Sequence, residues 1–233
     1  MYVCDVTIVA IDLVMPPANE PYVAIFDIET VATINEIRGG SRDAKMAGLP
    51  VSCASVLCIP CSACGDPDQA ERAIEAGSMK TYWRDTETPE KDGMPALVKA
   101  LDRSELIVGY NILGFDFPVI KKHYNNSQQY ISHLLKAHDV FYRVREVSGY
   151  WPKLDALLTV NRMACKTSHG LEAINMWNEG RLEELKTYCE ADVRQTARIA
   201  LMKKLRVDHS IVLPNHVFGV SSKLASMRHS DAL

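Results

Sequence analysis

The sequence predicts an α/β domain, a mixed β-sheet flanked by α-helices. Three observations lead there. Runs rich in β-branched and aromatic residues, which read as strands, concentrate before residue 110. The longest stretch of helical periodicity falls late, over 182–205. The apolar share, 47% of 233 residues against 24% charged, is enough to fill a core beneath such a sheet.

Taken in order, Tyr22–Val31 (YVAIFDIETV) reads as a central strand. A glycine-containing loop follows, then a second strand over Val51–Ile59 and a third over Lys80–Trp83. Met94, Leu97, Val98 and Leu101 recur at helical spacing and predict an amphipathic helix. Leu106–Gly109 is a short buried strand, and 117–137 reads as one helix weakened at Asn125 and Asn126. A further helix covers Leu154–Met163, and the strongest covers Leu182–Leu205. The chain divides into an N-terminal extension (1–20), a main domain (21–206) and a C-terminal tail (207–233).

No apolar run approaches the roughly 18 residues that span a bilayer. The apolar N-terminus is interrupted by Asp5 and Asp12 and no basic residue precedes it, so it lacks the features of a signal or transit peptide. Seven cysteines without such a signal favour a soluble protein in a reducing, intracellular setting with no membrane contact. The net charge of −3 argues against a plain polybasic binder, but it hides an asymmetry. Residues 1–116 carry 9 basic and 18 acidic residues, whereas 117–233 carry 17 and 11. Such a split fits a metal or catalytic region beside an anion-binding one.

Three short motifs hold the chemistry. In Phe26-Asp27-Ile28-Glu29-Thr30, side chains at i and i+2 share a strand face, so Asp27 and Glu29 point one way and Phe26 and Ile28 the other. Two neighbouring carboxylates repel, and a cation between them relieves this. Taken alone, such a pair is more often a solvated sheet face. In 108–116 (VGYNILGFD) a buried strand turns at glycine and Asp116 opens the next helix, a position that helix capping alone would also explain. In 188–192 (YCEAD), Tyr188 and Asp192 lie at i and i+4 on one helix face, which is either wet or supplied with polar partners. Together the motifs offer four carboxylates and a phenol. Hard oxygen ligands suit Mg²⁺ or Mn²⁺ rather than Zn²⁺, and two such ions can clamp the attacking and leaving oxygens of a phosphodiester.

On these residues the sequence resembles the DEDD superfamily of 3′–5′ exonucleases, a branch of the ribonuclease H-like fold. FDIET resembles the first exonuclease motif, VGYNILGFD the second and YCEADV the third. Tyr188 implies the tyrosine variant, and the nearest flavour is the exonuclease domain of family B DNA polymerases and related stand-alone exonucleases. Leu154-Asp155-Ala156-Leu157 and 176–180 (MWNEG) also look like that group. The resemblance spans about Tyr22 to Leu205, with a stretch before Trp177 shorter than the family's. It implies that Asp27, Glu29 and Asp192 hold one divalent cation and that Asp27 and Asp116 place a second. It implies that Tyr188 orients the attacking water, which the metal makes acidic. Thr30, Asn111 and Phe115 are implied to contact or shape the pocket of the 3′-terminal nucleotide. The implied activity is release of nucleoside monophosphates from single-stranded 3′ ends, with DNA favoured over RNA and a partner polymerase or helicase left open.

Cys53, Cys58, Cys61 and Cys64 invite a zinc or iron–sulfur reading, but their spacing lacks two separated knuckles, and a strand hairpin with small buried side chains is the plainer expectation. Tyr124, Tyr130, Phe141, Tyr142, Tyr150 and Trp151 interleave with Lys121, Lys122, Arg143, Arg145 and Lys153. Phosphate neutralisation plus base stacking is what a single-strand groove requires, and a basic face over an aromatic core has the same composition. The rival functions are a non-catalytic nucleic-acid-binding module on the same fold, a 3′–5′ exoribonuclease, and an endonuclease.

Overall fold

In the computed structural model, residues 20–85, 93–164, 170–220 and 223–224 are described. The N-terminal extension lies outside them apart from Glu20. The elements run β1 (Tyr22–Thr30), α1 (Arg42–Gly48), β2 (Val51–Pro60), α2 (Pro67–Ala76), β3 (Ser78–Trp83), α3 (Gly93–Asp102) and β4 (Leu106–Gly109). There follow α4 (Asp116–Ile120), α5 (Ser127–Lys136), β5 (Ala137–Asp139), α6 (Val140–Ser148), α7 (Leu154–Val160) and α8 (Gly170–Asn178). The chain then forms α9 (Leu182–Leu201), β6 (Lys204–Arg206), β7 (Val212–Pro214) and α10 (Asn215–Phe218).

Five strands make one mixed sheet in the order β3-β2-β1-β4-β5. β1 pairs antiparallel with β2 and parallel with β4, so it is the central strand and is buried on both faces. Alternation along β1 builds two layers. Val23 and Ile25 pack with α2, α6, α7 and α9. Tyr22, Ala24, Phe26 and Ile28 pack with α1, α3 and α4. Helices on both faces are the consequence of a parallel segment, whose strands need crossover connections. The predicted mixed sheet flanked by helices is therefore the observed one.

Several boundaries differ for local reasons. The helix expected over 117–137 is broken. α4 ends in a 3₁₀ turn at Lys121–His123, and Asn126 starts α5 afresh by accepting the Gln129 N–H at 2.9 Å. Such a cap is worth about 1 kcal/mol. The segment read as a hairpin contains α2 instead, opened by Asp66, whose carboxylate accepts from Asp68 and Gln69, with Pro67 at the first helical position. α9 stops at Leu201, and Leu205 lies in the β6–β7 hairpin. Described residues after 206 join the main core: Val207, Leu213, Phe218, Val220 and Leu224 are buried in it. Asn215 caps α9 from this segment, donating to the Ala200 and Met202 carbonyls at 3.2 and 2.9 Å.

α7 ends in a Schellman turn. Met163 N–H reaches the Leu158 carbonyl at 2.9 Å and Arg162 N–H the Thr159 carbonyl at 3.0 Å. Arg162 takes the left-handed position, φ 58°, which glycine usually fills and where a side chain costs about 1–2 kcal/mol. No helix among the described residues is long and apolar enough to cross a membrane.

Candidate active site

The strand periodicity of β1 puts Asp27 and Glu29 on the face covered by α9, as the sequence predicts, while Phe26 and Ile28 enter the opposite layer. A register shift between Glu29 and Thr30 marks a bulge where β1 leaves the sheet, a feature that re-aims the side chains beside it. Cys189 of α9 stands over this pair. Ligand atoms of Asp27, Glu29 and Cys189 lie within 4.8 Å of one another. The Cys189 thiol reaches the Asp27 backbone carbonyl at 3.7 Å, tying α9 to β1. Its hydrogen bond with Cys53, together with burial, pushes its pKa well up, so the sulfur stays a neutral thiol.

Asp116 joins from the first turn of α4 and is 3% exposed. Burial, then the charges of Asp27 and Asp139, push its pKa well above the carboxylate range, although the Ile28 N–H donates to it. Its Oδ1 is buried with no hydrogen-bond partner among the described residues. Tyr188, half-buried on α9, has its phenol pKa raised by burial and then by Glu29, Asp27 and Asp155. It therefore holds its proton and acts as a donor. Asp192 lies one turn along the same helix and is half-buried. Glu190, between them, accepts from the Thr81 hydroxyl at 3.0 Å, and Thr81 bonds Ser55 at 2.9 Å, which fastens α9 across β2 and β3.

The 110–115 loop is set by a residue that sequence reasoning passed over. Asp139, 3% exposed at the end of β5, accepts the N–H groups of Asn111 and Leu113, both at 2.9 Å, and of Tyr142 at 3.3 Å. Asn111 is left-handed, φ 63°. A Cβ on Gly109 would overlap Ile112 Cγ2 and lie 3.0 Å from the Phe26 carbonyl oxygen, which favours glycine there, and one on Gly114 would sit 2.5 Å from Asn111 Oδ1 and make that side chain move. Asp155, on the first turn of α7, bears on Tyr188 and on Tyr110, whose hydroxyl donates to the Pro152 carbonyl at 2.6 Å. The Leu154-Asp155 stretch was the signal that could have drawn it into the site.

Thr30 turns its hydroxyl to the Ala32 carbonyl at 2.9 Å, and Phe115 is half-buried against the α1–α3–α4 layer. The aromatic residues, for which a strand groove and an aromatic core were both open, separate into two clusters. Tyr124 and Tyr130 pack edge-on with each other, in the layer of Phe117 and Phe26. Phe141, Tyr142 and Trp151 cluster beside Tyr110, with Arg145 stacked 3.4 Å over the Trp151 ring. Only this second cluster is displayed, Trp151 at 63% exposure. Cys53 and Cys58 point to opposite faces of β2, and Cys61 and Cys64 lie in the 3₁₀ turn after it. The four thiols do not converge among the described residues.

A family model described as the RNase_H superfamily matches residues 69–205, more than half of the chain. That span takes in Asp116, Tyr188 and Asp192, and β1 precedes it. Among solved structures the chain is similar to a product-bound exonuclease I, with a TM-score of 0.41 and 14% identity over 72% of this chain and 46% of that one. A complex of exonuclease I with the C-terminus of SSB gives 0.39 and 12%, over 72% and 43%. The chain thus spans less than half the length of those proteins. No curated protein matches it.

Proposed function

We propose that this chain, which belongs to the ribonuclease H superfamily, is a metal-dependent 3′–5′ exonuclease acting on single-stranded nucleic acid, with DNA favoured. One observation carries the reading. Asp27 and Glu29 of β1, Asp116 of α4 and Tyr188 of α9 approach one another although 161 residues separate the first from the last. Buried carboxylates gathered in this way repel unless a cation neutralises them.

The donor set fits such a cation. It is made of hard oxygens, and Asp116 presents a buried Oδ1 that no group among the described residues satisfies. Asp27, Glu29 and Asp192 would hold one Mg²⁺ or Mn²⁺ ion, and Asp27 with Asp116 a second. Bound cations supply a Lewis acid that lowers the pKa of water and offsets charge on the scissile phosphate. The remaining roles belong to the chain. Tyr188, kept protonated by burial and then by its acidic neighbours, donates to and orients the attacking water. Asp139 fixes the loop that delivers Asp116. Asn111, Thr30 and Phe115 border the place of the terminal nucleotide.

The test is digestion of a 5′-labelled single strand with product lengths resolved. Mn²⁺ or Mg²⁺ is expected to support a ladder of products shortened from the 3′ end, and chelation to stop it. Folded Asp27→Ala and Asp192→Ala proteins are expected to be inactive. Unchanged activity in both, or cutting of a circular single strand, overturns the assignment.

A further inference from the structure

An open groove of about 1000 Å³ runs between α7 and the β6–β7 hairpin. Arg162, Lys204, Arg206 and His209 line it, all four exposed, and among the described residues no acidic side chain does. Thr159 and Val212 complete its walls.

The groove is built rather than incidental. The Asn161 side chain donates to the Arg206 carbonyl at 2.7 Å and accepts the Arg206 N–H at 2.9 Å, clipping the end of α7 to β6. Arg206 in turn reaches the His209 carbonyl at 3.4 Å. Arg162 occupies the left-handed position of the α7 cap, where glycine would be the unstrained choice. Helix α7 contributes to this groove and to the candidate active site alike. Ala156 lines the groove, and the preceding residue, Asp155, faces Tyr188 and Tyr110.

We infer that this groove binds the phosphodiester backbone of the nucleic-acid strand whose end enters the carboxylate site. A polyanion is repelled by clustered carboxylates, so a row of cations is what draws it in and sets its path. The inference rests on the nuclease reading, but its test needs no cleavage.

Fluorescence anisotropy in chelator, with a labelled single-stranded oligonucleotide and the full chain, reads binding alone. Each lost phosphate contact lowers the salt slope by about 0.7, which is about fivefold in affinity between 1 M and 0.1 M salt. Arg162→Gly is expected to bind about fivefold more weakly while melting no lower than wild type, because glycine suits its backbone. Arg162→Gly combined with Arg206→Gln is expected to lose about 25-fold, with a shallower slope. Variants that bind as tightly as wild type with an unchanged slope overturn the inference. A chain that binds through this groove yet cuts nothing overturns the exonuclease reading and leaves this one standing. A chain that cuts, with groove variants unimpaired in binding, does the reverse.

Discussion

Replacement of Asp139 separates the work of the carboxylates from the work of their scaffold. Its Oδ1 accepts from Asn111 and Tyr142, and its Oδ2 from Leu113, at 2.9, 3.3 and 2.9 Å. Hydrogen bonds to a charged acceptor contribute about 1.5–3 kcal/mol each, and a buried N–H left without one costs about 1–3 kcal/mol. Burial raises the Asp139 pKa, which offsets part of that gain, and the bond to Tyr142 is long. Asp139→Ala is therefore expected to destabilise by about 3–6 kcal/mol, a large share of the 5–15 kcal/mol usual for a domain. Asp139→Asn keeps an oxygen for Asn111 and Tyr142 but sets an amide NH₂ against the Leu113 N–H, for a loss of about 1–3 kcal/mol. Urea unfolding measures both. In the folded Asn variant the 110–115 loop loses one tether, and kcat on a labelled single strand is expected to fall about 10- to 100-fold, with KM changing less. Asp139→Ala within about 0.5 kcal/mol of wild type would refute the hydrogen-bond reasoning. Full kcat in a destabilised Asn variant would limit Asp139 to stability.

Asp116→Asn is expected to abolish cleavage yet raise the melting temperature of chelator-treated protein, because it removes a buried carboxylate facing Asp27; a lowered melting temperature would contradict the repulsion. His138 in β5 is 4% exposed and donates through Nε2 to the Phe218 carbonyl at 2.9 Å. Burial lowers its pKa from 6.5 to about 4, so the unfolded chain binds the extra proton first. Stability should fall as pH drops from 6.5 toward 4, by up to about 3 kcal/mol from this residue. The difference between wild type and His138→Gln in urea unfolding at neutral and acidic pH should show that slope, and identical profiles would remove His138 from the acid sensitivity. Gly109→Ala would press a methyl group into Ile112 and within 3.0 Å of the Phe26 carbonyl. A loss of about 1–3 kcal/mol is expected by thermal or urea unfolding, and no loss would mean that the turn yields freely.

Much of the site was legible because its signals are local. The i, i+2 spacing of Asp27 and Glu29 needs only a strand to share a face, and the β1 pattern announced the strand. Tyr188 and Asp192 needed only a helix. Asp139 was not legible, since an aspartate in a three-residue strand carries no periodicity and its partners lie 26 and 28 residues away. The choice between an aromatic groove and an aromatic core stayed open for a related reason. Interleaving along the chain does not say which side of a sheet each ring takes, and Tyr130 and Trp151 took different sides.

By itself the sequence determined the class of the sheet, the central strand, the faces of Asp27, Glu29, Tyr188 and Asp192, and the oxygen character of their chemistry, because side-chain direction follows from backbone period over a few residues. Only the tertiary structure decided that Asp116 is buried against Asp27, that Asp139 and Asp155 surround the site, and that residues beyond 206 close a basic groove along α7. Those are relations between segments far apart in the chain. They are fixed by which layers pack and by burial, which no local pattern encodes. The charge asymmetry shows the division: the sequence counted the acids and bases, and the fold gathered a carboxylate cluster in one place and Arg162, Lys204, Arg206 and His209 along one groove.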